Sequence, residues 1–239
     1  MGNMIAIMRK ELRTYFVSPV AYVVIAAYLL MCGIFFAILL TAPTGAAESR
    51  LDIVFGNVPV VLLIVAPALT MRLLAEEQKS GTIELLLTSP VRDWEVVVGK
   101  YLSSLVLYAI PVVVTMIYIV ILKRYSSPDL GPMLGGFLGI FLLGAAFLAV
   151  GMLATALTQN QVVAALISIA VLLALWLINA FASAVQAPLS SVLQYLSIIS
   201  HYSEFYSGVI DTRHVVYYLS VIVVSLFLSV RVLETRRWT

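Results

Sequence analysis

Charged residues of the kind that bind nucleotides or catalyse reactions are concentrated at 72–100, where four basic and five acidic side chains lie. Nucleotide hydrolysis here would require a GxxxxGK loop followed by Ser or Thr, whose amides and lysine hold the phosphates. The Gly-Lys pair of this stretch, Gly99-Lys100, is followed by Tyr101, and Trp94 stands where the first glycine should be. The sequence therefore lacks this loop, and if this protein uses ATP, another chain must supply the site.

Other residue types that carry catalysis are sparse. The sequence has no HExxH motif, and its two histidines, His201 and His214, lie in one stretch between apolar runs. The single cysteine, Cys32, sits within an apolar run, so neither an intrachain disulfide nor a CxxC metal site can form. We expect no catalytic residue, no metal site and no cofactor bound by this chain.

Composition indicates a membrane protein. Of the 239 residues, 62% are hydrophobic and 11% are charged, and the mean hydropathy is +1.08. A soluble domain would be about 25% charged. Apolar runs of about 20 residues cross a bilayer as helices. We expect one all-α integral membrane domain over 1–239, with six spans at 19–40, 53–71, 96–122, 133–157, 162–185 and 215–230.

Flanking positive charges predict the orientation of these spans. Ten Lys and Arg residues flank them on one side and four on the other, and cytoplasmic loops carry the excess. Both termini and the loop at 72–95 are therefore expected in the cytoplasm, and the segment 186–214 outside it, in a chain of the inner (plasma) membrane. The pair Lys123-Arg124 runs against this bias. The net charge of +2 is scattered and does not indicate nucleic-acid binding.

The first 18 residues have the pattern of an amphipathic helix. Between Ile5 and Phe16 a helical wheel separates apolar from basic side chains. We predict an interfacial helix over 1–18 on the inner leaflet, before the chain enters the bilayer at Ser18-Pro19; an ordinary cytoplasmic extension is the alternative. The apolar side comprises Met4, Ile5, Met8, Leu12, Tyr15 and Phe16, and the basic side comprises Arg9, Lys10 and Arg13.

The loop at 72–95 is predicted to hold two helices joined by a turn. The second span continues past Arg72 into a helix that ends at Ser80-Gly81, because glycine commonly ends helices. The next helix begins at Ser89-Pro90, a favourable N-cap and first position. Such a loop either folds back to close the bundle or forms a docking element for a cytoplasmic partner. Neighbouring opposite charges are expected at Arg72, Glu76 and Lys79, and acids in the next helix's first turn at Asp93 and Glu95.

Away from their ends the spans contain no Asp, Glu, Lys or Arg, whereas transporters driven by an ion gradient usually need them at mid-membrane depth. The few polar side chains there either line a path or hydrogen-bond neighbouring helices. Gly131, Gly135 and Gly139 recur every four residues and would let a helix approach closely, in this chain or in a second copy. Candidate path-lining residues are Tyr108, Thr115, Tyr118 and Asn179.

Two stretches carry a resemblance to a known family. The sequence EEQKSGTIELLLTSPVRDWEVVVGK (76–100) resembles the cytoplasmic loop of ABC-2 type transporter permeases, the six-span membrane subunits of one class of ABC transporters. The sequence EFYSGVIDTRHVVYYLSVIVVSLFLSVRVLETRRW (204–238) resembles the subgroup related to gliding-motility permeases, which is also similar to permeases linked to multicopper-enzyme maturation. The resemblance covers essentially the whole chain.

The resemblance implies the transmembrane subunit of an ATP-driven exporter. The partners implied are a separate ABC ATP-binding subunit that holds ATP and Mg²⁺, a second copy of the permease or a related permease, a protein with an extracytoplasmic auxiliary domain, and membrane lipid. The residues that would contact the ATPase or couple to it are Glu76, Glu77, Gly81, Thr82, Glu84 and Arg92.

The resemblance also implies roles for two further segments. Residues 5–16 correspond to the family's connecting helix, and 186–214 to short re-entrant or interfacial helices on the outer side, with Tyr202, Phe205 and Tyr206 at headgroup level. Two alternatives stay open. A permease-like scaffold would act with an ATPase on another protein without transport, and a stand-alone secondary transporter would need no ATPase.

Overall fold

The computed structural model describes residues 2–41, 51–81, 91–125, 129–182, 189–208 and 211–236, and within these ranges every regular element is a helix. The helices are α1 (Gly2–Val17), α2 (Pro19–Thr41), α3 (Asp52–Thr70), α4 (Ala75–Ser80), α5 (Asp93–Thr115), α6 (Ile117–Tyr125), α7 (Leu130–Leu157), α8 (Gln161–Ala182), α9 (Leu189–Leu196), α10 (Ile198–Tyr206) and α11 (Thr212–Arg236).

Six helical segments are long and apolar enough to cross a membrane, which confirms the predicted all-α membrane fold. Each predicted span overlaps one of them, and α5 and α6 together make the third crossing. The first helix, α1, precedes these crossings as predicted, although its position on the inner leaflet stays a prediction. The six segments are Pro19–Thr41, Asp52–Ser80, Asp93–Tyr125, Leu130–Leu157, Gln161–Phe181 and Thr212–Thr235.

Helix α7 forms the centre of the bundle. Of its most apolar stretch 83% is buried, against 22% for α2 and α11 and 17% for α8. Helices α3, α5, α8, α10 and α11 pack around it. A helix rich in Gly and Ala can be surrounded in this way because its thin surface lets neighbouring backbones come close. Most of the apolar stretch of each outer helix, α2, α8 and α11, is consequently not buried within the chain.

Glycines of α7 lie where side chains of three other helices reach its backbone. A Cβ atom added at any of four positions would overlap the neighbouring side chain, so only glycine fits there. The pairs in contact are Gly136 with Phe55 of α3, Gly139 with Phe205 of α10, Gly144 with Tyr108 of α5 and Gly151 with Thr70 of α3.

The predicted glycine series lies on the first part of α7. Gly139 meets α10, so its partner helix belongs to this chain. Gly135 is buried, whereas Gly131 is exposed and its amide donates to the Asp129 carboxylate that caps α7. Close contacts therefore extend from Gly136 into the C-terminal half of the helix, beyond the predicted series.

Tyrosine hydroxyl groups connect the helices inside the bundle. Tyr108 of α5 donates to the carbonyl oxygen of Ile140 at 2.8 Å, and Tyr202 of α10 donates to that of Phe55 at 2.8 Å. Helix carbonyls keep a second lone pair, and where water is absent they are the available acceptors. The same arrangement joins Tyr101 to Ala145 and Tyr218 to Ile198.

Two short helices, α9 and α10, join α8 to α11, in the segment where short helices were implied. Helix α9 packs on α8 and leaves Leu189 and Val192 each 53% exposed. Helix α10 instead enters the core, where Tyr202 and Phe205 are buried against α3 and α7. Tyr202 and Phe205 are therefore covered by a backbone carbonyl and a glycine of the bundle, and their position at headgroup level stays a prediction.

Two histidines join α10 to α11. His201 Nε2 lies 2.8 Å from the carbonyl oxygen of Tyr195, and His201 Nδ1 lies 2.7 Å from His214 Nδ1. A carbonyl only accepts, so Nε2 of His201 carries a proton, and in a neutral His201 Nδ1 then accepts the proton of His214 Nδ1. The other nitrogen of His214, Nε2, lies 3.7 Å from the Glu204 carboxylate. The pair cannot keep protons on both facing nitrogens.

Substituting Gly144 by Val should destabilise the bundle, because the new side chain would occupy the space of the Tyr108 ring and disturb its bond to Ile140. Overpacking of this kind costs about 1–3 kcal/mol. The measurement is the unfolding midpoint of the purified protein in detergent. Gly56→Val is the matched control, since nothing lies within 4 Å of a Cβ at that position. Equal losses in both variants would contradict the packing role of Gly144.

The histidine pair predicts weaker attachment of α10 at acidic pH. Burial lowers the pKa of His201 below its usual 6.5, and the facing His214 adds to this effect. The unfolded chain then takes up the proton more readily than the folded one, so stability is full above about pH 6.5 and falls as pH drops below it. Unfolding midpoints measured from about pH 8 to about pH 5 should fall more steeply in wild type than in His201→Gln. Parallel curves would refute this, and Glu204→Gln controls for the neighbouring carboxylate.

Candidate functional site

Three helices meet at the end of the bundle where the chain begins. Helix α1 packs along the first turns of α5, and α4 lies beside them. Their common centre is Lys100 of α5, which faces Glu11 of α1 and Glu77 of α4. These three helices, with Glu11, Glu77 and Lys100 at their centre, are referred to below as the α1–α4–α5 junction.

Lys100 is the buried charge of the junction. Its side chain is 2% exposed, and its Nζ lies 2.8 Å from Glu11 Oε1 and 2.9 Å from Glu77 Oε1. An ammonium group removed from water is strongly unfavourable unless it is paired. Lys10, at the surface, adds a longer contact of 3.8 Å to Glu77. Lys100 therefore requires α1 and α4 to be in place together.

A glycine lets α1 approach α5 closely. A Cβ atom on Gly99 would lie 2.9 Å from the carbonyl oxygen of Met4. Further along α1, the Tyr15 hydroxyl donates to the carbonyl oxygen of Leu69 at 2.6 Å. Burial, and next the charge of Glu11, raise the pKa of Tyr15, which keeps this hydroxyl protonated as a donor. Helix α1 is thereby fixed to α5 near its start and to α3 near its end.

Helix α4 is attached to the bundle through its inner side. Gln78 Nε2 lies 3.4 Å from the carbonyl oxygens of both Thr155 and Ala156 at the end of α7. Leu73 and Leu74, in the turn before α4, belong to an apolar cluster with side chains of α5, α7 and α11. This short helix is therefore held against two membrane-crossing helices, α5 and α7, at once.

After the second span, the observed course of the chain differs from the predicted one. Helix α3 ends at Thr70 and residues 71–74 form a turn before α4, so the predicted helix past Arg72 is interrupted there, although Asp52–Ser80 as a whole makes one crossing. Leu73 and Leu74 of this turn are buried in an apolar cluster with α5, α7 and α11. Among the described residues no ion pair joins Arg72, Glu76 and Lys79.

The two ends of the loop differ in how well the sequence predicted them. Gly81, at φ +70°, ends α4 in the left-handed conformation, which confirms the predicted stop. Helix α5 begins at Asp93 and not at Pro90, because Arg92 is extended and its amide donates to the Glu95 carboxylate at 3.2 Å. Asp93 and Glu95 occupy the first turn, as predicted. Ser89 and Pro90 themselves lie outside the described residues.

The residues implied to contact an ATPase fall into different places. Glu76, Gly81 and Arg92 are exposed and lie at the surface of the bundle's end. Glu77 instead turns inward to Lys100 and is part of the junction. Two further residues of this group, Thr82 and Glu84, lie outside the described residues.

The candidate path-lining residues likewise fall into buried and accessible positions. Tyr108 and Thr115 are buried and each donates to a helix carbonyl at 2.8 Å, so within one chain they pack between helices. The half-buried ring of Tyr118 stacks on Phe36 of α2, with ring centroids 4.3 Å apart. Asn179 is exposed on α8. Tyr118 and Asn179 are therefore the two that remain accessible from outside the chain.

Sequence reasoning missed the pairing of Glu11 with Lys100. Lys100 was counted only as a flanking positive charge, and Glu11 received no role. A signal was present, because Glu11 is the single acid among the first 18 residues and shares a helix side with Met4, Met8 and Tyr15. Lys100 also falls inside the predicted third span, where a charge needs a partner.

Six membrane-crossing helical segments, with α7 at their centre, follow an amphipathic helix and include a short helix between the second and third crossings. This arrangement defines a polytopic membrane protein of the permease class. The sequence matches the family described as ABC-2 family transporter protein over residues 5–238, and the chain belongs to that family. A comparison with curated proteins finds no match. Membership implies the permease subunit of an ABC transporter, since members are membrane components that typically pair with an ABC ATP-binding subunit.

Replacing Lys100 with Met should loosen α1, because Glu11 and Glu77 would lose the cation between them and repel each other. Removing one partner of a buried ion pair costs about 3 kcal/mol or more. Hydrogen exchange of residues 2–17, followed by mass spectrometry, should become faster.

The exposed Lys79→Met is the matched control for this experiment, since it removes the same charge from the same end of the bundle. Adding Glu11→Gln and Glu77→Gln to Lys100→Met should recover much of the protection. Unchanged exchange in Lys100→Met would show that the ion pairs do not hold α1.

Proposed function

We propose that this chain is the transmembrane subunit of an ATP-driven ABC-2 exporter whose ATP hydrolysis takes place on a separate ATP-binding subunit. Family membership supports the general assignment, and the α1–α4–α5 junction supports the coupling role. In this proposal the chain lies in the inner (plasma) membrane with both termini and α4 in the cytoplasm, as the excess of Lys and Arg on that side favours.

The observation that carries the proposal is a short line of contacts from the surface to the membrane. Glu76 and Gly81 are exposed on α4, and Glu77, next to Glu76, binds Lys100 of α5. A partner that presses on α4 therefore moves the acid that holds Lys100, and with it α5, which continues as the third crossing. Helix α1 follows, because Glu11 binds the same ammonium group.

The docking surface in this proposal is the exposed side of α4 and the segment after it. Glu76, Gly81 and Arg92 supply charged and backbone groups at the surface, and the family resemblance adds Thr82 and Glu84. Burying a charged group centrally in an interface makes its reversal expensive, commonly by about 2 kcal/mol or more. A charge reversal on α4 should therefore weaken docking without disturbing the bundle.

One chain with six crossings is half of a complete ABC transporter, so we propose that it pairs with a second copy or a related permease. Helices α2, α8 and α11 leave most of their surface unburied and are the ones available to lipid and to a second copy. Tyr118, beside α2, and Asn179, on α8, are our candidates for the path between the two protomers.

A finer part of the proposal concerns the opposite end of the bundle. The resemblance of the sequence at 204–238 supports assigning this chain to the subgroup related to gliding-motility permeases. The same assignment supports a partner that has an extracytoplasmic auxiliary domain. Such a partner would meet the side of α9 and α10, where α9 exposes apolar residues such as Leu189 and Val192.

The test is a purification of the tagged protein from its own membranes in mild detergent, with identification of the chains that accompany it. We expect an ATP-binding protein with wild type, and its loss with Glu76→Lys and with Glu84→Lys. Glu234→Lys is the matched control, because it reverses a partly exposed acid on α11 at the same end of the bundle. Gly81→Trp should likewise abolish stimulated ATPase activity, since φ +70° is strained for any side chain.

The outcomes separate the alternatives. Absence of an ATP-binding chain under conditions that keep the permease dimer intact would overturn the proposal in favour of a stand-alone transporter. Equal loss in Glu234→Lys would remove α4 as the docking surface. With the complex in hand, substrate flux into sealed vesicles distinguishes a transporter from a scaffold that acts on another protein.

A further inference from the structure

A cavity of about 250 Å³ lies beside the α1–α4–α5 junction, between α1, the start of α2 and the end of α3. Ser18, at the bend between α1 and α2, is part of its wall. Because α1 is amphipathic and α2 is the first crossing, this bend is where the chain would pass from the membrane surface into the bilayer. A ligand held here would lie at the depth of lipid head groups.

The cavity is lined by both charged and apolar side chains. The junction and the turn after α3 supply charged groups, whereas the first turn of α2 and the last turn of α3 supply hydrophobic ones. A ligand with a charged head and an apolar tail matches this combination. The charged residues include Lys10, Arg72 and Glu76, and the apolar residues include Val20, Ala21 and Ala68.

Arg72 is the basic group of this cavity that has a buried nitrogen left for a ligand. Lys100 is paired with Glu11 and Glu77, whereas the Nε of Arg72 is buried and makes no hydrogen bond to any described part of the chain. A buried donor without an acceptor is unfavourable. The planar guanidinium group suits phosphate, because it offers two parallel N–H donors to two oxygens.

We propose that this cavity binds the head group of a membrane phospholipid, with its phosphate at Arg72 and its acyl chains along α2 and α3. Three basic side chains (Lys10, Arg72, Lys100) and three acidic ones (Glu11, Glu76, Glu77) line the cavity, so its formal charge is zero. A neutral lining favours a zwitterionic head group over a purely anionic one. In phosphoethanolamine the ammonium group would face the exposed acid Glu76.

The bound lipid would stabilise the α1–α4–α5 junction on its membrane side. Tyr15 and Leu69, which join α1 to α3 through a 2.6 Å hydrogen bond, both line the cavity. A head group seated against them would fill the space between α1 and the two crossings. Glu76 belongs both to this cavity and to the proposed docking surface, whereas Arg72 belongs to the cavity alone, so lipid binding can be tested on the permease without the ATPase.

The test is native mass spectrometry of the purified, delipidated permease titrated with a short-chain phosphatidylethanolamine. Diacylglycerol with the same chains and inorganic phosphate are the two comparison ligands. We expect saturable binding of one phosphatidylethanolamine per chain and weak binding of diacylglycerol. Arg72→Gln should weaken the lipid's affinity about tenfold or more, because a charge-assisted bond to phosphate is lost.

Arg231→Gln is the matched control, since it removes the same charge from a side chain that is 61% exposed at the same end of the bundle. Two further variants keep the test decisive if Arg72→Gln does not fold. Arg72→Lys should bind with intermediate affinity, and Ala68→Phe should abolish binding by filling part of the cavity while Arg72 stays.

Three results would overturn the proposal. Diacylglycerol binding as tightly as phosphatidylethanolamine would remove the phosphate contact. Unchanged affinity in Arg72→Gln, or equal weakening in Arg231→Gln, would remove Arg72 as the phosphate ligand. Inorganic phosphate displacing the lipid at comparable concentration would identify a site for free phosphate and overturn its assignment to lipid.

Discussion

The pairing of Lys100 with two carboxylates is the interaction on which one end of this molecule depends. Its ammonium group is almost completely buried at the start of the third crossing, where leaving it unpaired would be severely unfavourable. The two acids come from distant parts of the chain, Glu11 ahead of the first crossing and Glu77 after the second. Satisfying one charge therefore fixes three helices, and the close approach at Gly99 keeps them within reach.

Neutral groups of the interior are paired in a similar way. A buried hydroxyl away from water is stabilised by an acceptor within the protein, and tyrosines of α5, α10 and α11 find theirs on helix carbonyls. Aromatic rings also pack closely against the backbone of α7 where it carries glycine. Gly144 receives Tyr108 and Gly139 receives Phe205. The glycines of α7 and the aromatic side chains that pack on them are thus complementary parts of the same helix contacts.

Sequence reasoning predicted what local pattern determines. Long apolar runs gave the six crossings, and Gly81 marked a helix end because glycine adopts positive φ freely. It failed where distant contacts decide. The chain turns after Thr70 despite its helical pattern, and Leu73 and Leu74 of that turn are buried. The burial of Tyr202 has no local signature either, because a tyrosine typical of headgroup regions is equally suited to a core with carbonyl acceptors. The partners of Lys100, as much as 89 residues away, have no local signature.

Helix α4 is attached to α7 and to α5 by polar contacts of different strength. Toward α7 it is held by neutral bonds of 3.4 Å from Gln78, and toward α5 by a charge-assisted contact of 2.9 Å between Glu77 and Lys100. The turn before α4 adds apolar contacts of Leu73 and Leu74 with α5, α7 and α11. Along α5, Tyr101 and Tyr108 both donate to carbonyl oxygens of α7. In the proposed function a displacement of α4 would therefore reach α5 through Glu77 and Lys100, and these two bonds to α7 would resist it.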